Sequence, residues 1–495
     1  MAKHRRIRSD EQRKRLDNNR EKLLSTISGH AKAPLSSTQS ASITLMLERF
    51  VTNRAHATPV PYEGPVGVEQ LLIQLSQTYA LTKWVDGHLV SVGGTLLIEG
   101  IDEPIELEAK VGMGGQLGLT VGPSSSIAHL INAVHVFDRH MHLACVELKL
   151  DYELTAQGYN PYIVSPSDIV PVPLRSFALL GAYLSRTGRF TRDALRCTAA
   201  THVMLPMDQD EQQSTQLYRL FSALAPLLSF LTDNSLSLRG ADPYESPHMV
   251  RSLVWDQLDA NRCGLVAGTF GPHFGYQAYE RWIEGVRPIV FTSDSGVTFS
   301  CGSDTFERVM EERDLSGDEI ARLLSAVYPD VRWDGHLTLC MADSLSIRLV
   351  AGYLALIKGI TGNDSARAAA LKLMGVEGIN DSMVSQAWHS LREQGWQARI
   401  YGKPAAQIAH ELVSIASRNL EDTAERRMLE ALAQLWEIRL VPRDLLIKNW
   451  ERSLEPTPEQ EAIELYGEGA VIPYDDLVGE PPAGQTSVMH IPLQG

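Results

Sequence analysis

Residues 105–121 read IELEAKVGMGGQLGLTV. Apolar and polar residues alternate from Ile105 to Lys110, and apolar residues return at Leu117, Leu119 and Val121. That pattern predicts two strands, over 105–110 and 116–121. Between them stands Gly112-Met113-Gly114-Gly115-Gln116. The backbone N–H groups of such a turn can cradle a phosphate. A dinucleotide site needs a helix after its glycines, however, and here a second strand follows. The stretch therefore reads as a tight sheet corner.

Outward from this corner, short strands are predicted over 43–50, 88–92 and 95–99, with a helix over 68–79 carried by Leu71, Leu72 and Leu75. A helix over 124–144 opens on Ser124 as its cap. Further strands are expected at 201–205, 265–267, 288–292 and 337–341, and long helices at 212–231, 344–360 and 405–438. Strands mixed with helices, without regular alternation, argue for an α+β fold rather than a doubly wound sheet.

The chain has 495 residues, 44% of them hydrophobic, enough for a sizeable core. Its net charge of −15 argues against broad nucleic-acid binding, which needs clustered Lys and Arg. The charge is uneven. Residues 1–40 form a polar basic arm, with a helix expected over 10–27. Residues 41–453 form the main domain. Residues 454–495 form an acidic, Pro- and Gly-rich tail that can serve as a docking segment for a protein partner. Five scattered cysteines with no C-x-x-C pair argue against a disulfide framework and fit a cytoplasmic location. No apolar run is long enough to span a membrane.

Few segments carry chemistry. His129, His135, His140 and His142 fall in one helical segment, where packing accounts for them better than metal ligation. Residues 292–296 (TSDSG) read as a hairpin turn. The densest polar stretch is Arg251-Ser252, Trp255, Asp259, Arg262 and Gly264. Two arginines and an aromatic can hold a carboxylate or phosphate, and can equally brace a salt-bridged loop.

That stretch resembles the R-S-x-x-W-x-x-x-D-x-x-R-x-G segment of the glutamate–cysteine ligase family in its plant and proteobacterial form. Ala225-Pro226-Leu227-Leu228 and Asn234-Ser235 resemble the helix end that precedes it. Tyr328-Pro329-Asp330-Val331-Arg332, Leu337 and Ala342-Asp343 resemble the segment that follows. Gly114-Gly115-Gln116 with Leu119, and Glu48-Arg49-Phe50, resemble two further motifs. The order holds from about 43 to 450. The resemblance implies a glutamine-synthetase-like antiparallel sheet rolled into a half-barrel and covered by helices. It also implies ATP-dependent joining of a carboxylate to an amine, with Mg²⁺ held by Glu side chains on the sheet.

The departures lie in those acids. The family's glutamates correspond here to Met46, Gly112, Gly118 and Thr338, and an arginine to Cys340; His202 and Met204 fall in a strand that reads T-x-Q-x-N in the family. Glu106 and Glu108 share the strand face of position 112, but Glu108 lies about 13 Å along the strand. No metal ligand is assigned. The retained pocket is Glu48, Gln116, His202, Asn234, Arg251, Trp255 and Arg262. The expectation is a ligase-like protein that binds a small amino acid or carboxylate, its standard ligation lost or altered, in a specialised pathway or as a partner subunit. The alternative is an active ATP-dependent ligase forming a γ-glutamyl-type amide bond.

Overall fold

A computed structural model describes residues 8–29, 42–98, 101, 103–207 and 210–454. Ten strands make one antiparallel sheet: β1 (Ile43–Asn53), β2 (Thr58–Pro59), β3 (Leu81–Val85), β4 (His88–Leu96), β5 (Ile105–Val111), β6 (Leu117–Ser124), β7 (Tyr152–Thr155), β8 (Ala200–Pro206), β9 (Val331–Trp333) and β10 (His336–Asp343). Their order is β9-β10-β8-β1-β6-β5-β4-β3, with β2 and β7 pairing the far end of β1. The sheet is open, since β9 and β3 do not pair. The expected α+β class, an antiparallel sheet covered by helices, is what the chain adopts.

Alternation along each strand sorts the residues between two faces. Leu45, Leu47, Leu117, Leu119, Val121, Val203, Leu205, Leu337 and Leu339 are buried on one face. Against it pack helices α2 (Val68–Leu75), α3 (Ile127–Leu148) and α4 (Glu211–Leu231). Burying each such side chain contributes roughly 1.5–3 kcal/mol before entropy is counted. On the same face Arg49 donates to both oxygens of Asp138, at 2.7 and 2.6 Å. The opposite face is half-open and carries the polar residues of the next section.

The corner over 112–116 forms as expected. Gly112 N donates to Gln116 O at 2.7 Å, and Gly115 takes φ +85°, a backbone state that favours glycine. Gly114 leaves no room for a side chain, because a Cβ there would stand 2.3 Å from Arg196 O. The 292–296 turn joins a real hairpin, with Val290–Thr292 pairing Thr298–Ser300.

Other expectations need correction. The strands expected over 88–92 and 95–99 form a single one, His88–Leu96, because Gly93 and Gly94 stay in the ladder opposite Glu108 and Leu107; residue 99 lies outside the described residues. Residues 265–267 are not a strand. Pairing there is confined to Cys263–Gly264 beside Tyr328–Pro329, and Gly264 turns the chain at φ +74°. The helix expected over 405–438 is two, Ala405–Asn419 and Thr423–Glu437, because Asp422 accepts from Ala424 N at 2.8 Å and caps a fresh start.

The helix expected over 10–27 forms as α1 (Asp10–Ser28), with Ser9 and Gln12 making a capping box. It docks through buried Leu16, Asn19, Leu23 and Ile27, and Arg20 Nε donates to Glu284 Oε1 at 2.5 Å. The acidic tail from 455 onward lies outside the described residues. Among the described residues no helix is long and apolar enough to cross a membrane.

Candidate functional site

Residues directly opposite in neighbouring strands point to the same face. The register therefore arranges the half-open face in three rows. One runs Arg332–Thr338–Met204–Thr44 across β9, β10, β8 and β1. The middle row runs His202–Met46–Thr120–Glu108 across β8, β1, β6 and β5. The ladder then bulges between Leu339 and Ala342, so that Cys340 and Met341 together oppose His202, and the Cys340 side chain interacts with the imidazole at the head of this row. The third runs Glu48–Gly118–Lys110–Ser91. Met46, Gly118, Thr338 and Cys340, far apart in sequence, thus share one surface.

His202 holds the centre. Its Nε2 lies 3.9 Å from Glu48 Oε2. Burial works against its charge, but the neighbouring Cys340 thiol and Glu48 carboxylate outweigh burial and push its pKa up to about 9. Its Nδ1 is buried without a hydrogen-bond partner. Glu48 is fixed in turn, because Ala200 N donates to Oε2 at 2.9 Å. Glu108 accepts from Ser91 Oγ at 2.5 Å. Arg332 Nε donates to Asp334 Oδ2 at 2.6 Å, and Thr338 Oγ1 donates to Asp334 Oδ1 at 2.9 Å.

The segment just before β8 gathers Gln116, Trp255 and Tyr328. Gln116 Oε1 accepts from Gly114 N at 2.8 Å, and its amide nitrogen reaches Leu195 O and Thr198 O, both at 3.4 Å. Trp255 Nε1 donates to Thr198 Oγ1 at 3.1 Å, and its ring meets Tyr328 edge-on at 5.1 Å.

Arg251 and Asn234 meet at the end of β10. Arg251 Nε donates to Asp343 Oδ1 at 2.9 Å, and its Nη2 donates to the carbonyls of Cys340 and Ala342, both at 3.0 Å. Asn234 N and Ser235 Oγ donate to Asp343 Oδ2 at 2.9 and 2.8 Å. The Asn234 side chain donates to Ala156 O and Ser344 O, both at 2.8 Å. Arg262 stands apart. It is 1% exposed, bonds Asp259 at 2.8 Å and Ala326 O at 2.9 Å, and braces the loop behind Tyr328. Of the seven residues singled out from the sequence, Glu48 and His202 line the open face, and the other five brace its rim and scaffold.

Sequence reasoning did not assemble the acids and bases around Cys340. Burial and the nearby Asp256 push Asp330 up to about 7, against the pull of Arg251 and Arg392. Asp256, raised by burial, is in contact with Arg392. Asp330 O accepts from Cys340 N at 2.9 Å. The histidines of α3 do not gather with this site: His140 Nδ1 pairs with Tyr79 OH at 2.8 Å, and His129 Nδ1 lies 3.3 Å from Ser124 Oγ. Among the described residues no three His, Cys, Asp or Glu side chains converge on a point that could hold a metal ion.

A family model described as glutamate–cysteine ligase family 2 matches residues 47–448. The chloroplastic glutamate–cysteine ligase of Nicotiana tabacum is 22% identical over 431 residues, 83% of this chain and 78% of that enzyme. The chloroplastic enzyme of Medicago truncatula is 21% identical over 421 residues, 82% and 79% of the two chains. Ligase B of Oryza sativa subsp. japonica is 22% identical over 312 residues, 59% and 60%. Among solved structures, a chain from the complex between prokaryotic ubiquitin-like protein Pup and its ligase PafA aligns with a TM-score of 0.40 at 11% identity, over 88% of this chain and 71% of that one.

Proposed function

This chain belongs to the glutamate–cysteine ligase family, and we propose that it binds a small amino acid or carboxylate on the half-open sheet face, with the family's ATP- and magnesium-dependent ligation lost or altered. One observation carries this reading. The open face offers Lys110, His202 and Arg332 around positions that hold thioether, hydrogen and hydroxyl groups instead of carboxylates. A carboxylate ligand finds cationic donors there.

The same donor set does not suit magnesium. A hard cation needs several oxygen ligands. Met46 supplies sulfur, and its methyl group fills the space over Gly118, where a Cβ would stand 2.9 Å from Met46 Cε. At Gly112 a Cβ would stand 2.8 Å from Gln116 Cδ. The carboxylates nearest the middle of this surface, Glu48, Glu108 and Asp334, are each engaged by a protein donor.

Calorimetric titration with glutamate and a panel of small carboxylates tests the reading. Saturable binding without Mg²⁺ is expected, weakened about tenfold or more by Arg332→Gln, as for the loss of a charge-assisted hydrogen bond. ADP release from ATP, Mg²⁺, glutamate and a panel of amines including cysteine is expected to stay at background. Amine-dependent ADP release would overturn the claim of altered chemistry. A flat titration for every ligand would overturn the binding claim.

A further inference from the structure

The five cysteines are not alike. Cys145, Cys197, Cys263 and Cys301 are buried, while Cys340 is partly open. Burial pushes the first four thiols up, to about 11, 12, 12 and 11 respectively. Such thiols are inert, because the thiolate is the nucleophile. Cys340 instead stands on the half-open face, in the bulge of β10 that opposes His202 on β8, and its side chain interacts with the imidazole. On its other side, β9 carries Arg332, whose guanidinium is held charged, against the cost of burial, by Asp334 and the Cys340 sulfur. His202 in turn faces Glu48 at 3.9 Å, and Ala200 N pins that carboxylate. A thiol, an imidazole and an anchored carboxylate in succession on one rigid sheet form the arrangement of an activated nucleophile.

We propose that Cys340 is a nucleophile for acyl transfer, with His202 as its base and Glu48 as the residue that positions the imidazole. The substrate class, a small acyl group that arrives already activated as a thioester, rests on the carboxylate-binding reading above. The Cys340 thiolate attacks the acyl carbon. A C–S bond to the enzyme forms, the bond to the incoming thioester's sulfur breaks, and the departing thiolate takes its proton from the His202 imidazolium. An amine then attacks the acyl-enzyme. The C–N bond forms, the C–S bond breaks, the amine proton passes to His202, and the thiolate–imidazolium pair is restored. Activation by ATP is not needed, which accords with a face stripped of its carboxylates.

The test uses the full chain and two probes at pH 7. Iodoacetamide, followed by peptide mass spectrometry, should modify Cys340 about tenfold faster than glutathione and faster still than the other four cysteines. His202→Asn should slow it about tenfold or more, and Glu48→Gln should slow it less. Phenyl thioacetate without an amine should leave an acetyl group on Cys340 that added glycine methyl ester removes. Circular dichroism of each variant separates lost chemistry from lost folding, and Cys340→Ser serves as the blank. Alkylation of Cys340 no faster than glutathione, a rate indifferent to His202→Asn in a folded variant, or no acetyl group on Cys340 would overturn the proposal. Failure of carboxylate binding in the calorimetric titration would leave the thiol reactivity standing and remove only the substrate assignment.

Discussion

Strands β8 and β10 each have two characters along their length. At one end, Ala200 pairs with Asp343, and every group is answered: Asp343 accepts from Arg251, Asn234 and Ser235, while Arg251 also ties down two carbonyls of β10. A few residues along, His202, Met204 and Cys340 form a partly open surface beside buried Thr338, and His202 Nδ1 has no partner there. The closed end holds residues on which the family resemblance rests. The open surface holds the departures from it. A scaffold of buried, mutually satisfied polar groups resists change, because removing one member strands the others. Side chains on a half-open face carry no such constraint, so chemistry can be altered there while the fold stands.

The largest effect should come from breaking the closed end. Arg251→Met removes the cation beside a carboxylate that burial already pushes up to about 6, and frees two carbonyls. The expected loss is about 3–5 kcal/mol, read by urea denaturation. Mutation of the open face at Cys340→Ser should leave the denaturation midpoint nearly unchanged. Equal losses from the two variants would erase the distinction between the two ends.

A smaller effect sharpens the contrast inside the open face. Gly118→Ala brings a methyl group to 2.9 Å from Met46 Cε. The cost should be roughly 1–3 kcal/mol in an otherwise unchanged chain. In a Met46→Ala background the cost should largely vanish, because the obstructing atom is the far end of a flexible side chain. A double-mutant cycle reads this coupling. Additive losses would mean that something other than Met46 fills the space over Gly118.

How much of this was legible beforehand follows from the range of the interactions. The 112–116 corner was legible because its strands and glycines are contiguous. The break at Asp422 is local too, but a capping residue inside a long apolar periodicity gives a weak signal, and the pattern ran through it. Arg251 was legible as a polar residue in a dense polar stretch, yet its partner Asp343 lies on a strand far along the chain. The sequence therefore could not decide between a ligand clamp and a strut. The juxtaposition of Cys340, His202 and Glu48 was not legible at all. It depends on the register of three strands, and a shift of one residue would send each side chain to the other face. What could have flagged it is the composition of the departures themselves: a thiol and an imidazole standing where the family places an arginine and an amide-rich strand.

The smallest predicted effect concerns a carboxylate that is the opposite of Asp343. Glu280 is buried beneath α1, and its Oε1 has no hydrogen-bond partner. Burial and the adjacent Glu284 push its pKa up to about 7, and Arg20 and Arg281 offset this only in part. In the folded chain the carboxyl keeps its proton up to about 7, whereas in the unfolded chain it releases it near 4.5. Its contribution to stability is therefore intact below 4.5 and is lost as pH rises through 7. Glu280→Gln fixes the neutral form, so the variant should match the parent at pH 4.5 and exceed it at pH 8 by about 1 kcal/mol, allowing for partial solvent screening. Thermal denaturation at the two pH values checks this. A variant less stable than the parent at pH 8 would mean that the charged carboxylate is needed beside Arg20, and that α1 is held by ion pairing rather than by its apolar face.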